Sequence, residues 1–274
     1  MRSNQVPAEP EIQKQVKEQD FMKGFNRRTK KISTALALVL GTFINGANGE
    51  DGPNASNPLA SVTNLDLRAQ YFDLDGPERR DYYLDGAKML TPELKFKYEL
   101  HYWDTDVTGS SERDWESIHL KPIYLPQNMV GAMGEWKYKV AFGAELIVDF
   151  GNDDKGIGSG SDQISAFTGI ALAQGHTVLI PLVQQYKEYS GPDVNTTAFR
   201  LIGLQSFPDS HMWAKLDAKA PVDWENDNEI PASIELQIGK NFSPGFAAYA
   251  EGLAGVGGDR SYDWGAGLGL RFNY

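Results

Sequence analysis

This sequence predicts an all-β fold, a transmembrane antiparallel up-and-down β-barrel of about 12 strands, on three observations. Beyond residue 50, apolar and polar side chains alternate in one segment after another, each of strand length. The chain begins with a leader of export type, and its most regular segment runs to the last residue, the aromatic Tyr274. Composition agrees. Of 274 residues none is cysteine, which removes disulfide scaffolds, thiolate metal sites and cysteine nucleophiles. With 26 Lys+Arg against 37 Asp+Glu, the net charge of -11 speaks against a nucleic-acid partner. A mean hydropathy of -0.42 excludes a bundle of membrane helices but not a barrel, whose apolar residues alternate with polar ones.

Residues 1–49 read as a cleaved signal peptide. Arg27-Arg28-Thr29-Lys30-Lys31 is a basic start, and Ile32 to Ile44 is an uncharged apolar stretch too short to cross a bilayer as a helix. Small residues at Ala47 and Gly49 suit cleavage after Gly49. Met22 opens a better-shaped signal than Met1, so the start is expected at one or the other. Removing 1–49 leaves 18 basic against 33 acidic residues. Residues 50–61 then form an amino-terminal extension, and 62–274 the barrel.

Val62 to Asp73 is one strand, bringing the count to eleven. A further strand is expected near 50–60 or within 82–90, because a barrel with both ends on one side of the membrane needs an even number; ten strands is the alternative to twelve. From Glu93 to Trp103, Leu94, Phe96, Tyr98, Leu100 and Tyr102 form one face, and Glu93, Lys95, Lys97, Glu99, His101 and Trp103 the other. Residues 114–125 follow with less regularity. Trp136 to Phe150 sets Trp136, Tyr138, Val140, Phe142, Ala144, Leu146, Val148 and Phe150 against Lys137, Lys139, Ala141, Gly143, Glu145, Ile147 and Asp149. After weaker candidates at 162–173, 176–187 and 196–207, the stretch Met212 to Trp224 turns Leu216 one way and Lys215, Asp217 and Lys219 the other. Ile230 to Ile238 does the same around Glu235, 245–256 is a weaker segment, and Trp264 to Tyr274 closes the series.

With Tyr274 at the periplasmic side, hydrophilic loops at 104–113, 151–161, 188–196, 225–229 and 257–262 face outward, and short turns at 174–175, 208–210 and 241–244 face inward. Only 126–135 is long for an inward turn. The polar faces are expected to line the lumen, giving Glu93, Lys95, Lys97, Glu99, His101, Lys137, Lys139, Glu145, Asp149, Lys215, Asp217, Lys219 and Glu235 as the candidate solute pathway. On this register Leu216→Arg blocks assembly and Asp217→Arg is tolerated. Leu268, Leu270, Phe272 and Tyr274 form an apolar, aromatic-ended terminus like the insertion signal of outer-membrane barrels, a handle for the barrel-assembly machinery. The remaining partners implied are outer-membrane lipid, lipopolysaccharide and a small-molecule solute, at the cell outer membrane, with no nucleic acid.

Gly143-Ala144-Glu145, the turn Gly239-Lys240-Asn241-Phe242 and the glycine-rich last strand resemble the outer-membrane family named for the meta-pathway of phenol degradation. The resemblance covers 92–274. It implies a porin-like barrel that passes hydrophobic or aromatic compounds, and it brings no catalytic residues.

Other chemistry is weakly signalled. Ser117-Ile118-His119 puts a nucleophile and a base on one face of a strand, so an outer-membrane lipid hydrolase is an alternative to a passive channel, as is a non-conducting structural barrel. No third residue to orient the histidine is visible by spacing. His101, His119, His176 and His211 lack metal-ligand spacing, and 151–162 lacks the repeat of a calcium loop. The reading is therefore no enzyme, no cofactor and no metal.

Overall fold

The computed structural model describes residues 55–274, so the signal peptide expected at 1–49 and residues 50–54 of the expected extension lie outside the described residues. Twelve long antiparallel strands close into a barrel, with one short strand added. They are β1 (Asn64–Asp73), β2 (Glu78–Met89), β3 (Leu94–Thr105), β4 (Glu112–Tyr124), the short β5 (Val130–Met133), β6 (Trp136–Asp149), β7 (Asp162–Gln174), β8 (Thr177–Ser190), β9 (Asn195–Phe207), β10 (Met212–Asp223), β11 (Ala232–Ser243), β12 (Phe246–Val256) and β13 (Trp264–Asn273). Neighbours in sequence pair throughout except β4 and β5, the last strand pairs with the first from Asn64↔Asn273 to Asp73↔Trp264, and β4 pairs with β6 to complete the ring. Closure leaves no long strand with an unpaired edge, a requirement in a medium without water.

The strand missing from the periodicity is β2, which covers the 82–90 region; of the other expected stretch, 55–60 holds turns and 50–54 lies outside the described residues. Its two faces are both mixed: Arg79, Asp81, Tyr83, Asp85 and Ala87 on one, Arg80, Tyr82, Leu84, Gly86 and Lys88 on the other. The long connection 126–135 is also explained. β4 leaves the sheet after Tyr124↔Phe142, and β5 doubles back to pair Val130–Met133 with the first residues of β6. Among the described residues the only helical pieces are three 3-10 turns, at 127–129, 153–155 and 208–210. Among the described residues no helix is long and apolar enough to cross a membrane.

The outer face carries Phe142, Ile164, Phe199, Leu201, Leu216, Leu236 and Leu268, all well exposed. Aromatics mark both rims. Tyr71 and Trp264 lie 5.4 Å apart at the end carrying the long loops, and Phe246 packs on Phe242 and Phe272 at the opposite end, where the chain terminus sits. An apolar band between aromatic rims is the surface a bilayer selects. A groove of about 720 Å³ on this face, against Phe199, Leu201, Ile234 and Val256, belongs to the same apolar band.

Glycines on the inner face make room for interior rings. A Cβ at Gly239 would stand 2.1 Å from Trp213, and one at Gly269 2.1 Å from Tyr249, so these aromatics lie flat against the bare backbone of the neighbouring strand. The glycine alternation of β13 is thus an inward column opposite large side chains on β12.

Candidate functional site: the barrel interior

The interior is organised in layers. At the terminus end, Ile123, Leu125, Ala141, Ala171, Ile180 and Ile202 make an apolar floor, and Leu59 from the segment before β1 packs into it. That segment is tied down by polar contacts. Lys95 donates to the carbonyls of Pro58 (3.1 Å) and Ala60 (2.8 Å), Lys139 to Ser61 Oγ (3.1 Å), and Ser56 Oγ to Gln237 (2.8 Å). Leu59 and Ala60 are nearly sealed from solvent.

Above the floor lies a charged layer in two groups. In the first, Arg271 on β13 holds Asp66 on β1, and Tyr249 donates to the same carboxylate at 2.8 Å. Arg68 binds Glu251, Lys215 lies 2.7 Å from Glu235, and Arg200 forms a two-point pair with Asp217. In the second, Lys121 bridges Glu99 (2.8 Å) and Glu145 (3.1 Å), Lys97 lies 3.4 Å from Asp85, and His101 lies 3.0 Å from Asp81. Pairing of this kind is what buried charge requires, since an isolated ion in a low-dielectric interior is costly.

Most of the residues singled out by alternation therefore meet in one interior. Lys95, Lys97, Glu99, His101, Glu145, Lys215, Asp217 and Glu235 converge there, and Lys219 shares their face through its pairing with Arg200 and Ser233. Four have other duties, among them Lys139, which holds Ser61 of the segment before β1. Glu93 is a correction, because it precedes β3 and accepts from the backbone N–H of Gln127 (2.9 Å) in the turn that leads to β5. Lys137 is exposed at the rim. Asp149 anchors the 151–161 loop by accepting from the N–H groups of Gly151 (2.6 Å), Ser159 (2.7 Å) and Gly160 (3.1 Å). Tolerance of Asp217→Arg is also corrected. Asp217 is buried against Arg200 with Lys215 3.8 Å away, so an arginine there would face two cations.

Asp66, Arg68, Asp81, Asp85, Arg200 and Gln237 were absent from the sequence-based set. For Asp66 and Arg68 the signal was present, since Asn64, Asp66, Arg68 and Gln70 alternate with Leu65, Leu67, Ala69 and Tyr71. For Arg200 it was not, because both faces of β9 are largely apolar around it.

Ser117 and His119 point inward, and the structure supplies the third group that spacing concealed. His119 Nε2 lies 3.0 Å from Ser117 Oγ, and Nδ1 lies 2.7 Å from Glu145 Oε1. This is nucleophile, base and orienter in order. Yet Ser117 is wholly buried and its hydroxyl donates to Glu116, so the oxygen has neither access to an acyl group nor a free proton to pass. The trio is part of the charged layer. Among the described residues no group of three acidic or histidine side chains could hold a metal ion.

An apolar outer wall, a paired polar interior and full closure define a porin-like β-barrel of the outer-membrane type. Solved structures share the fold at low identity. The NanC porin aligns at TM-score 0.53 and 11% identity over 77% of this chain and 100% of its own. The COG4313 outer membrane channel from Pseudomonas putida F1 aligns at TM-score 0.57 and 8% identity over 84% and 100%. The KdgM porin aligns at TM-score 0.50 and 8% identity over 77% and 99%. No protein-family model matches the chain, and no curated protein does.

Proposed function

We propose that this barrel is an outer-membrane channel for passive passage of small molecules. One observation carries the reading: charged side chains at mid-barrel still touch water. The side chains of Arg200 (30% exposed), His119 (20%), Lys121 (19%) and Lys97 (18%) keep contact with solvent although each points into a closed wall. A barrel braced only for stability has no need of hydrated charge there. The pathway runs past Lys97, Glu99, His101, Lys121, Glu145, Lys215, Asp217, Lys219 and Glu235, whose mixed charge would set preference among solutes. The resemblance to the phenol meta-pathway family extends the reading to aromatic or hydrophobic solutes. Outer-membrane lipid and lipopolysaccharide are the partners of the outer wall, and Leu268, Leu270, Phe272 and Tyr274 are the handle for the assembly machinery.

The test is conductance in planar bilayers combined with swelling of liposomes. Discrete current steps, with an ion preference that moves when Lys97 or Lys219 is replaced by glutamate, are expected. A correctly folded barrel that gives no steps and no swelling overturns the channel and leaves a structural barrel.

A further inference from the structure

Among the described residues four arginines point into the barrel, and three have carboxylate partners: Arg68 with Glu251, Arg200 with Asp217, Arg271 with Asp66. The fourth, Arg79, differs. It begins the inner face of β2 at the long-loop end, directly opposite Phe72 on β1 and diagonal to Trp103 on β3, the partner of Asp81. Its guanidinium carbon lies 4.5 Å from the centre of the Phe72 ring and 4.3 Å from that of Trp103, so aromatic rings cover the ion. Tyr262, from the loop before β13, packs edge-on against Phe72 at 5.0 Å.

Aromatic rings cover the faces of this guanidinium, but its buried Nε has no partner. Arg79 Nε and the indole Nε1 of Trp103 are both buried and have no hydrogen-bond partner among the described residues. The acids whose charge reaches Arg79 are Asp81 and Glu116. Both are engaged elsewhere, Asp81 with His101 Nδ1 at 3.0 Å and Glu116 with the Ser117 hydroxyl. Buried N–H groups without acceptors are costly, and a stacked guanidinium offers its fork of donors edge-on.

We infer that Arg79 and Trp103 form a binding site for a small organic monocarboxylate at the long-loop mouth of the barrel. The planar fork matches a carboxylate at two points, and the indole N–H adds a third donor. Asp81 and Glu116 below it disfavour anions of higher charge. The inference deepens the channel reading by naming the class of solute met first on entry.

Calorimetric titration of the folded protein in detergent with benzoate tests it, since binding there does not require conduction. Saturable binding of benzoate is expected, with benzamide, its neutral counterpart, silent. Arg79→Gln should weaken benzoate at least tenfold, and Trp103→Phe, which keeps the stacked ring but loses the N–H, should weaken it severalfold. Equal affinity in wild type and Arg79→Gln, equal binding of benzamide, preference for inorganic phosphate over benzoate, or no saturable benzoate binding would overturn the site. A heat-shift gel confirms that each variant is folded. Current steps in acetate-free and benzoate-free salt report on the channel separately, so either reading can fail alone.

Discussion

Arg271 Nε and Nη2 on the last strand reach the Asp66 carboxylate on the first at 2.6 to 3.0 Å, and the two residues are direct partners across the seam that closes the barrel. The pair sits where closure is most demanding, because β1 and β13 are brought together from opposite ends of the fold. Both side chains are almost fully buried, so removing one leaves the other charged and unsolvated. Arg271→Met is expected to cost about 3–5 kcal/mol, and the double change Arg271→Met with Asp66→Leu considerably less. Urea unfolding followed by the heat-shift gel checks both. Equal loss in the single and double variants would show that the pair's charge is not what matters.

The interior glycines make a second, sharper claim. Gly239→Ala and Gly269→Ala would drive a methyl group into the rings of Trp213 and Tyr249, and each is expected to destabilise by about 1–3 kcal/mol. Gly252→Ala is the control. A Cβ there meets nothing within 4 Å, on the outer face of β12, and should be neutral or slightly stabilising. Thermal unfolding of the three variants in one detergent decides the matter.

How far these features were legible in the chain depends on contrast between the two faces of each strand. On β10, Leu216 and Ala218 against Lys215, Asp217 and Lys219 set register, face and ends without ambiguity. β2 has polar residues on both faces, and its contribution of Arg79, Asp81 and Asp85 to the interior went unseen. Partner identity is a different kind of information. Alternation tells that Glu145 and His119 face inward, but that they meet depends on the pairing of β4 with β6 past the β5 detour. The same detour explains why Glu93, one residue before β3, fell outside the set it seemed to begin.

Asp217→Arg illustrates the difference between face and surroundings. Leu216→Arg is expected to cost roughly 2–4 kcal/mol if the residue lies near the bilayer midplane, through exposure of charge to hydrocarbon. Asp217→Arg fails for another reason, the meeting of the new cation with Arg200 and Lys215. The distinguishing variant is Asp217→Arg combined with Arg200→Glu, which restores opposite charge across β9 and β10. Assembly yield of this double variant should exceed that of Asp217→Arg alone, whereas Arg200→Glu should give no rescue of Leu216→Arg.

The Ser117, His119 and Glu145 arrangement predicts an inert site in spite of its geometry. With Ser117 buried and its hydroxyl donated to Glu116, purified protein given phospholipid in mixed micelles should release no more fatty acid than Ser117→Ala. Ser117→Ala should instead lower stability by about 1 kcal/mol, the usual worth of a lost hydrogen bond. Hydrolysis that disappears with Ser117→Ala would restore the enzyme reading.

The segment before β1 bears most directly on conduction. It crosses the interior at the terminus end, with Leu59 in the apolar floor and its carbonyls held by Lys95. The lysine is almost entirely buried and spends its charge on two neutral acceptors instead of a carboxylate. That makes the segment's anchorage weaker than the ion pairs around it, since a carbonyl does not cancel the charge. Lys95→Met removes both contacts while keeping the side chain's length and apolar stem. Leu59→Asp attacks the same anchorage from the other side, by placing a carboxylate among Ile123, Leu125, Ile180 and Ile202. Both variants leave all twelve long strands and their pairings intact, so assembly should survive. Each is expected to raise single-channel conductance, and the two together should do no more than the stronger of them, because they release one segment. Unchanged conductance in both variants would place the constriction elsewhere, in the charged layer itself.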